Sequence, residues 1–180
     1  MKLTLKDGSV KEYQGPVTAA EAAKDLSMGL YRAACAARVD GKVVDLRTVL
    51  DHDCALEILT FADEDGQRAF NHTASHILAQ AVTHLYPEAK FAIGPAIDNG
   101  FYYDFDLPAP FTTEDLVKLE KEMAAIVKAD LPLEKFELDA AEALELMKDQ
   151  PYKEELIREH AGKGEKISFY RQGDFTDLCA

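Results

Sequence analysis

The chain has 180 residues, enough for one good-sized domain or two small ones, and its 47% apolar content can supply a core. A net charge of −13 argues against a free-standing nucleic-acid binder, because lysine and arginine supply most of the affinity for phosphates. Three cysteines without a CxxC pair indicate neither a disulfide framework nor a zinc ribbon, and the lack of a long apolar run predicts a cytoplasmic protein without signal peptide or membrane helix.

The acidic charge is unevenly distributed along the chain. Residues 1–60 hold 8 basic and 9 acidic side chains, whereas residues 61–180 hold 12 basic and 24 acidic ones. This shift predicts two structural units joined at the acidic segment of residues 62–66.

The first 61 residues follow the pattern of a small, ubiquitin-like β-grasp domain. Four signals succeed one another: a hairpin around Asp7-Gly8, a capping box from Thr18 to Glu21 that opens a short helix ending near Gly29, a hairpin around Asp40-Gly41, and an alternating strand over residues 54–61. This ββαββ order with a late strand carries no catalytic constellation. His52 and Cys54 fit an acidic turn better than a metal site.

Residues 62–180 predict a larger α+β domain with an antiparallel sheet and packed helices. Its signals are a helix over residues 67–85, short strands with turns at Gly94-Pro95 and Asn99-Gly100, a helix opened by Thr112, a strand over residues 131–138, a helix capped by Asp139, a helix starting at Pro151, and a hairpin around Gly173-Asp174. The helix after Thr112 is expected to turn one apolar side inward, formed by Leu116, Leu119, Met123, Ile126 and Val127.

Two histidines four residues apart, His72 and His76, stand out in the helix over residues 67–85. They project nearly opposite an apolar stripe formed by Phe70, Ala74, Ile77, Leu78, Ala81 and Leu85. A solvated face normally carries charge, yet no Asp, Glu, Lys or Arg occurs between Ala69 and Pro87. The pattern therefore favours a second covered or cleft-lining face and a functional pair over a plain solvated face. His84, toward the edge of the stripe, is expected to be structural.

The residues alone leave the chemistry of the histidine pair open. A zinc-protease signature would place Glu directly after the first histidine, where Thr73 stands, so that class is disfavoured. A metal site needs at least a third ligand, and Cys179 is the remaining candidate, with Asp177 on the same face of a strand. Taken alone, however, a cysteine more often serves as a small buried apolar side chain.

Four segments together resemble the N-terminal region of bacterial threonyl-tRNA synthetases. They are "NHTASHILAQAVTHLYP", "FAIGPAIDNGFYYDFD", "PYK" and "DFTDLC", in the order in which that family carries them. The resemblance also covers residues 1–60, which look like the family's β-grasp TGS domain. It implies a TGS domain over residues 1–61 and an editing domain over residues 62–180, which hydrolyses serine mischarged onto threonine tRNA.

The resemblance also assigns individual positions. The matched residues are His72 and His76 for the family's histidine pair, Tyr103 for the second tyrosine of FYYD, Lys153 for the lysine of Tyr-Lys, and Asp177 and Cys179 for Asp-x-Cys. Hydrolysis of an aminoacyl ester needs an oriented water, a proton acceptor and donors to the oxyanion. We therefore expect His72 and Lys153 to activate water and Asp177 to recognise the amine or hydroxyl of the substrate. His76, Tyr103 and Cys179 are expected to bind the substrate and shape its pocket, without a metal.

The chain also departs from the family pattern, which continues Cys-x-Gly-Pro-His where this sequence ends at Ala180. We therefore expect an editing domain truncated at its C-terminal end, and an aminoacylation core that lies outside this chain. The cofactors of that core in the family are ATP, magnesium and zinc, so none is expected here.

The expected partner is the 3′ end of threonine tRNA carrying serine, with weak tRNA binding in isolation and no membrane association. The full-length family enzyme is expected to be a homodimer.

Two other functions are compatible with the sequence. A zinc-dependent, stand-alone deacylase of the alanyl type would use the histidines and the cysteine as ligands. A non-catalytic interaction module built on a TGS domain would not deacylate at all.

Overall fold

The computed structural model describes residues 1–162 and 166–179. Its internal contacts divide the chain into two units, the first formed by residues 1–72 with 96–100 and the second by residues 73–95 with 101–180. This division falls within a helix. The domain boundary predicted between residues 61 and 62 remains a prediction.

The first unit contains a five-stranded sheet with a helix packed on it. Its elements are β1 (Lys2–Leu5), β2 (Val10–Glu12), β3 (Val17–Thr18), α1 (Ala19–Leu26), α2 (Met28–Ala33), β4 (Ala34–Val39), β5 (Lys42–Val44), β6 (Val49–Leu50) and β7 (Cys54–Thr60). The sheet order is β2-β1-β7-β4-β5, with β1 parallel to β7 and the other neighbours antiparallel. The β-grasp prediction is confirmed.

Local signals account for most of this unit. Gly8 with φ +82°, and Asp40 and Gly41 with φ +47° and +84°, supply the left-handed backbone that tight hairpin turns require. The Thr18 side chain accepts from the Glu21 N–H, and Glu21 bonds back to Thr18, as the capping box predicts. Leucines at positions 3, 50 and 56 fill the core, each at 2% exposure or less. Full burial of such a side chain contributes about 1.5–3 kcal/mol.

One prediction for this unit was wrong. The helix that was expected to end near Gly29 ends at Leu26, and Gly29 lies inside a second short helix, α2. The reason is Ser27, which has extended backbone and caps α2 by accepting from the Leu30 N–H.

After β7, helices alternate with short strands along the chain. The elements are α3 (Glu64–Leu85), β8 (Lys90–Phe91), β9 (Ala96–Ile97), β10 (Gly100–Phe101), β11 (Phe105–Asp106), α4 (Thr113–Ala129), β12 (Leu133–Leu138), α5 (Ala140–Leu146), α6 (Pro151–Ala161), β13 (Ile167–Gln172) and β14 (Phe175–Cys179). Every helix and strand predicted from the capping boxes, Pro151 and the final turn is present. Strands β12, β13 and β14 form an antiparallel sheet in that order.

Helix α3 begins three residues earlier than predicted and absorbs part of the acidic junction. The carbonyl of Asp63 accepts from Gln67, and its side chain accepts from the Thr60 N–H, so Asp63 closes the turn before the helix. Gly66 permits the close approach, because a Cβ there would lie 2.0 Å from the Thr60 carbonyl oxygen.

The buried faces of α3 and α4 differ from the expected stripes. Phe70 and Leu85 are 52% and 38% exposed, whereas Ala79, on the face of the histidines, is fully buried. On α4, Leu119 and Ile126 are buried, but Leu116 and Val127 are exposed. Helical periodicity indicates a direction for the apolar face, but the position of neighbouring elements decides which of its residues are covered. The expected second covered face of α3 is confirmed.

Two hydrophobic clusters hold the second unit together. One joins α3, α4 and the strands β8 and β14, through Ala79, Val82, Phe91, Leu119, Ile126 and Phe175. The other lies between the three-stranded sheet and helices α5 and α6, through Ala143, Met147, Ile157, Phe169 and Leu178. Strand β14 contributes to both, since Phe175 packs in the first cluster and Leu178 in the second. Asp177 lies between these two residues in sequence, on the same face of the strand as Phe175.

Candidate active site

Four polar side chains from separate elements of the second unit meet around one buried carboxylate. They are Asp177 on β14, His76 on α3, Lys153 on α6 and Tyr103 between β10 and β11. Asp177 and His76 are each 4% exposed, and Lys153 is 3% exposed. Charged groups are rarely buried unless paired, so each polar side-chain atom of this cluster needs a specific partner.

The Asp177 carboxylate has such partners on both oxygens. Oδ2 accepts from the Tyr103 hydroxyl at 2.7 Å and lies 3.0 Å from His76 Nδ1. Oδ1 lies 2.8 Å from Lys153 Nζ and accepts from the Leu178 N–H at 2.8 Å. These four contacts satisfy the capacity of an ionised carboxylate.

Lys153 lies in an environment that its local sequence does not indicate. Its position on a charged helix favours a solvated lysine, yet the side chain is buried. Pro151 starts α6 at a position where its missing N–H costs nothing, and Lys153 follows within the first turn. Its ammonium donates to the Tyr103 hydroxyl at 2.9 Å and pairs with Asp177. An ammonium carries three N–H groups, and two of them serve Tyr103 and Asp177 within the described residues, which leaves the third for water or a substrate.

The electrostatics of the cluster favour charged forms. Burial would raise the pKa of Asp177, but the hydrogen bond from His76 and the charge of Lys153 hold that pKa well below its usual range. Burial would likewise lower the pKa of His76, yet hydrogen bonds to Asp177 and Cys179 raise it to about 9. Burial and the neighbouring Asp177 charge raise the pKa of Tyr103. At neutral pH the cluster thus holds one carboxylate between two cations.

His76 also approaches Cys179, and His72 precedes it on the same helix. A ring nitrogen of His76 and the Cys179 sulfur lie within 4.8 Å of each other. The four-residue spacing on α3 places both imidazoles on one face, and His72 is partly buried. Imidazole nitrogens and thiolate sulfur are ligands that zinc prefers, and within the second unit His76 and Cys179 offer one of each.

The ring of Tyr103 is positioned by close packing. It stacks on Phe105 with centroids 4.8 Å apart, and Phe91 meets it edge-on at 6.0 Å. On another side lies Gly94, where a Cβ would fall 2.1 Å from the ring. The site therefore requires glycine at this position, whereas the sequence indicates Gly94 only as part of a turn. The adjacent Gly94-Pro95 pair within the FAIGP segment was the signal that could have pointed to it.

An open groove of about 530 Å³ runs along the segment that follows Tyr103. It is lined by Tyr103, Asp104, Phe105, Asp106, Leu107, Ala109, Pro110 and Phe111. The groove thus combines aromatic rings with two carboxylates and adjoins the buried cluster through Tyr103.

Of the six residues predicted for the site, the second unit brings five together: His76, Tyr103, Lys153, Asp177 and Cys179. The sixth, His72, is placed one helical turn from His76. Sequence reasoning missed Gly94 and also Tyr170, whose ring lies 5.7 Å from that of His76. Tyr170 carried no sequence signal of its own, because its contact depends on strand pairing between β13 and β14.

Comparison with known proteins gives one family match and many relatives. The model of the TGS domain matches residues 1–60. Over the whole chain, the sequence is 57% identical to the threonine--tRNA ligase of Acetivibrio thermocellus and 56% identical to that of Clostridium perfringens. The threonine--tRNA ligase of Clostridioides difficile is 54% identical over 99% of the chain.

The chain spans 28% of the length of these curated relatives, at their N-terminal end. Within the described residues, no helix combines the length and apolar character that a membrane crossing requires.

Proposed function

We propose that this chain is the N-terminal part of a threonine-tRNA ligase and that its second unit hydrolyses the ester of serine mischarged onto threonine tRNA. The observation that carries the proposal is the buried Lys153–Asp177 pair with its partners His76 and Tyr103. Removing such a pair from water is costly, and a merely structural role is served as well by apolar residues. Identity above 50% to threonine--tRNA ligases over the whole chain supports the choice of substrate.

The proposed reaction answers a limit of molecular recognition. A synthetic pocket that fits threonine cannot exclude serine by more than about 1–3 kcal/mol, because serine merely lacks one methyl group. The hydroxyl of serine also satisfies any group in the synthetic pocket that distinguishes threonine from valine. A second site that admits serine and rejects the extra methyl group is therefore needed.

The side chains would divide the work of ester hydrolysis. Lys153 would orient the attacking water or the carbonyl through its third N–H, and His72 would accept the proton of the water. The positive charge of Lys153 and His76 would stabilise the oxyanion of the tetrahedral intermediate. That intermediate collapses by expelling the ribose hydroxyl, which leaves serine and tRNA.

Asp177, Tyr103 and Cys179 would shape the substrate pocket in this proposal. All four hydrogen bonds of the Asp177 carboxylate go to protein groups, so its recognition of the substrate amine or hydroxyl requires one of them to be exchanged. Tyr103, whose hydroxyl both donates and accepts, is the partner best able to give up its bond.

The groove beside Tyr103 offers a place for the terminal adenosine. Aromatic side chains stack on bases, whereas the carboxylates of Asp104 and Asp106 repel phosphates. The lining therefore suits an uncharged nucleoside better than the phosphate backbone. Other parts of the full-length ligase would hold the tRNA body, carry out aminoacylation with ATP, magnesium and zinc, and form the homodimer.

A second candidate is a zinc-dependent deacylase. The donors His76 and Cys179 fit zinc by ligand type, and the Asp177 carboxylate on His76 Nδ1 is the outer partner that metal-binding histidines usually have. In this alternative the ion would lower the pKa of a bound water and so supply the nucleophile.

Deacylation assays separate these possibilities. The 180-residue chain is mixed with threonine tRNA charged with serine or with threonine, with and without a chelator. We expect release of serine in preference to threonine, unaffected by the chelator. Loss of activity on chelation would select the zinc-dependent alternative, and release of neither amino acid would reject a hydrolase.

Two lysine variants provide a matched comparison. Lys153→Met should lower kcat by roughly 100-fold or more, because it removes a preorganised cation from the site. Lys148→Met removes an exposed lysine whose partner is the exposed Glu145, and should leave hydrolysis unchanged. Equal activity of the two variants would rule out the role given to Lys153.

A further inference from the structure

Helix α3 contacts the β13–β14 hairpin through three side chains spaced four residues apart. His76 Nδ1 lies 3.0 Å from Asp177 Oδ2, Gln80 Nε2 donates to the Gln172 carbonyl at 3.3 Å, and His84 Nε2 lies 3.2 Å from Asp174 Oδ1. The candidate catalytic contact is thus one end of a polar row, and the other end lies two helical turns away at the tip of the same hairpin.

The end at His84 has a geometry that only one protonation state satisfies. Its Nδ1 lies 2.7 Å from Glu122 Oε1 on α4, and its Nε2 faces Asp174. A neutral imidazole has one N–H and so donates to one carboxylate, leaving a lone pair against the other. Both contacts are hydrogen bonds only when the ring carries its second proton.

The surroundings of His84 are acidic on every element that packs against it. Glu122 comes from α4 and Asp174 from the turn of the hairpin. The hydrogen bond to Glu122 raises the pKa of His84, burial opposes this, and Asp174 adds to the rise. Asp174 is 78% exposed and has the longer contact, so it is the partner released first when the proton leaves.

We infer that His84 is a positioning residue: in its protonated form it ties the turn of the β13–β14 hairpin to α3 and α4 and thereby holds Asp177 in place. Gly173 and Asp174, at the tip of the turn, are both exposed, so the contact between Asp174 and His84 ties an exposed residue to α3. Asp177 lies three residues after Asp174, on strand β14. Release of the turn therefore loosens the strand that carries the buried carboxylate.

Amide hydrogen exchange of β14 tests this directly, without reference to any activity. Protection factors of the amides of residues 175–178 are measured in the full chain between pH 5.5 and 9. In the wild type they should fall by about three- to fivefold as His84 loses its proton, a size typical of a partly exposed ion pair.

Three variants isolate the contribution of His84. His84→Gln cannot bridge two carboxylates and should show low protection at every pH. His84→Arg keeps a permanent, two-sided donor, and should retain high protection and lose the part of the pH dependence that His84 causes. His52→Gln is the matched control, because His52 also lies between two carboxylates, Asp51 and Asp40, but in the first unit. It should behave as the wild type does. His76 is retained in all of these proteins, so the differences between their exchange profiles arise from the residue at position 84.

The consequence for catalysis rests on the proposed function. If serine release is observed, His84→Gln should lower kcat more than it raises KM, and His84→Arg should restore kcat. If no protein releases serine but the exchange pattern holds, the proposed function fails and the positioning role stands. Identical protection in His84→Gln and His52→Gln across the pH range would overturn the positioning role, as would a wild-type profile shared by His84→Arg.

Discussion

Asp177 is the residue on which the site depends, because each of its partners comes from a different part of the chain. It is separated from His76 by 101 positions and from Tyr103 by 74. A buried carboxylate with four hydrogen bonds keeps its charge. Removing the partners of such a group lowers the stability of the fold by several kcal/mol. Substitutions at the partners should therefore act on stability and on the proposed hydrolysis together, and only conservative changes separate the two.

Tyr103→Phe is such a conservative change. It keeps the ring that packs against Gly94 and Phe105 but removes the hydroxyl that donates to Asp177 and accepts from Lys153. Since hydrogen bonds to charged groups contribute about 1.5–3 kcal/mol, we expect the free energy of unfolding to fall by that amount. Urea unfolding measures it. The matched control is Tyr102→Phe, because Tyr102 is the exposed neighbour, and its substitution should change stability by less than about 0.5 kcal/mol.

The pKa of His76 predicts an alkaline loss of stability. Because Asp177 and Cys179 raise this pKa to about 9 against the opposing effect of burial, the folded protein binds a proton that the unfolded chain releases near pH 6.5. The stabilisation is fully present below about pH 6.5 and is lost as pH rises through about 9. We expect a decrease on the order of 3 kcal/mol between pH 6 and 9.5, measured by urea unfolding followed by circular dichroism.

A variant identifies the source of that pH dependence. His76→Gln cannot take up the proton, so its stability should change much less between the two pH values than that of the wild type. His52→Gln, in the first unit, should keep most of the dependence. An unchanged slope in His76→Gln would mean that the buried imidazole is neutral at pH 6.

At the scale of elements, the site depends on how closely one segment approaches another. Gly94, between β8 and β9, lies against the ring of Tyr103, and its missing side chain sets the distance. Local signals could predict the helices and strands themselves, because caps and turns depend on residues within about four positions. They could not predict this approach. The burial of Lys153 was equally hidden, since it depends on Asp177 and Tyr103, the latter 50 positions away.

Gly94→Ala tests the close approach. The added Cβ would lie 2.1 Å from the Tyr103 ring, so the ring or the backbone must move. We expect overpacking to cost about 1–3 kcal/mol of stability and, under the proposed function, the shifted hydroxyl to lower kcat for serine release at least tenfold. Thermal unfolding and deacylation assays check the two effects. Gly15→Ala serves as the control, because nothing lies within 4 Å of its Cβ position and its φ is not positive. Full activity in Gly94→Ala would mean that the hydroxyl position is not critical.

At the scale of the whole chain, two units differ in how far the sequence specified them. The β-grasp unit was predicted almost completely, since its strands are joined by tight turns with clear signals. The second unit was predicted as a set of elements, and its core only in part: Leu116 and Val127 were expected to be buried and are exposed. The buried polar face of α3, formed by His76, Gln80 and Ser75, remained unresolved, because amphipathic patterns identify only apolar faces.

The net charge of −13 predicts that the isolated chain binds tRNA poorly. Phosphate contacts through lysine and arginine supply most of the affinity for nucleic acids, and residues 61–180 carry twice as many acidic as basic groups. Filter binding should give a Kd weaker than about 10⁻⁵ M with a shallow dependence on salt. A variant tests the role of this charge: Lys replaces the exposed residues Glu134, Glu155 and Glu159. Each substitution raises the net charge by two units, so the net charge changes from −13 to −7. It should bind more tightly and with a steeper salt dependence. Tight, salt-sensitive binding by the unmodified chain would instead require a local basic surface that overrides the net charge.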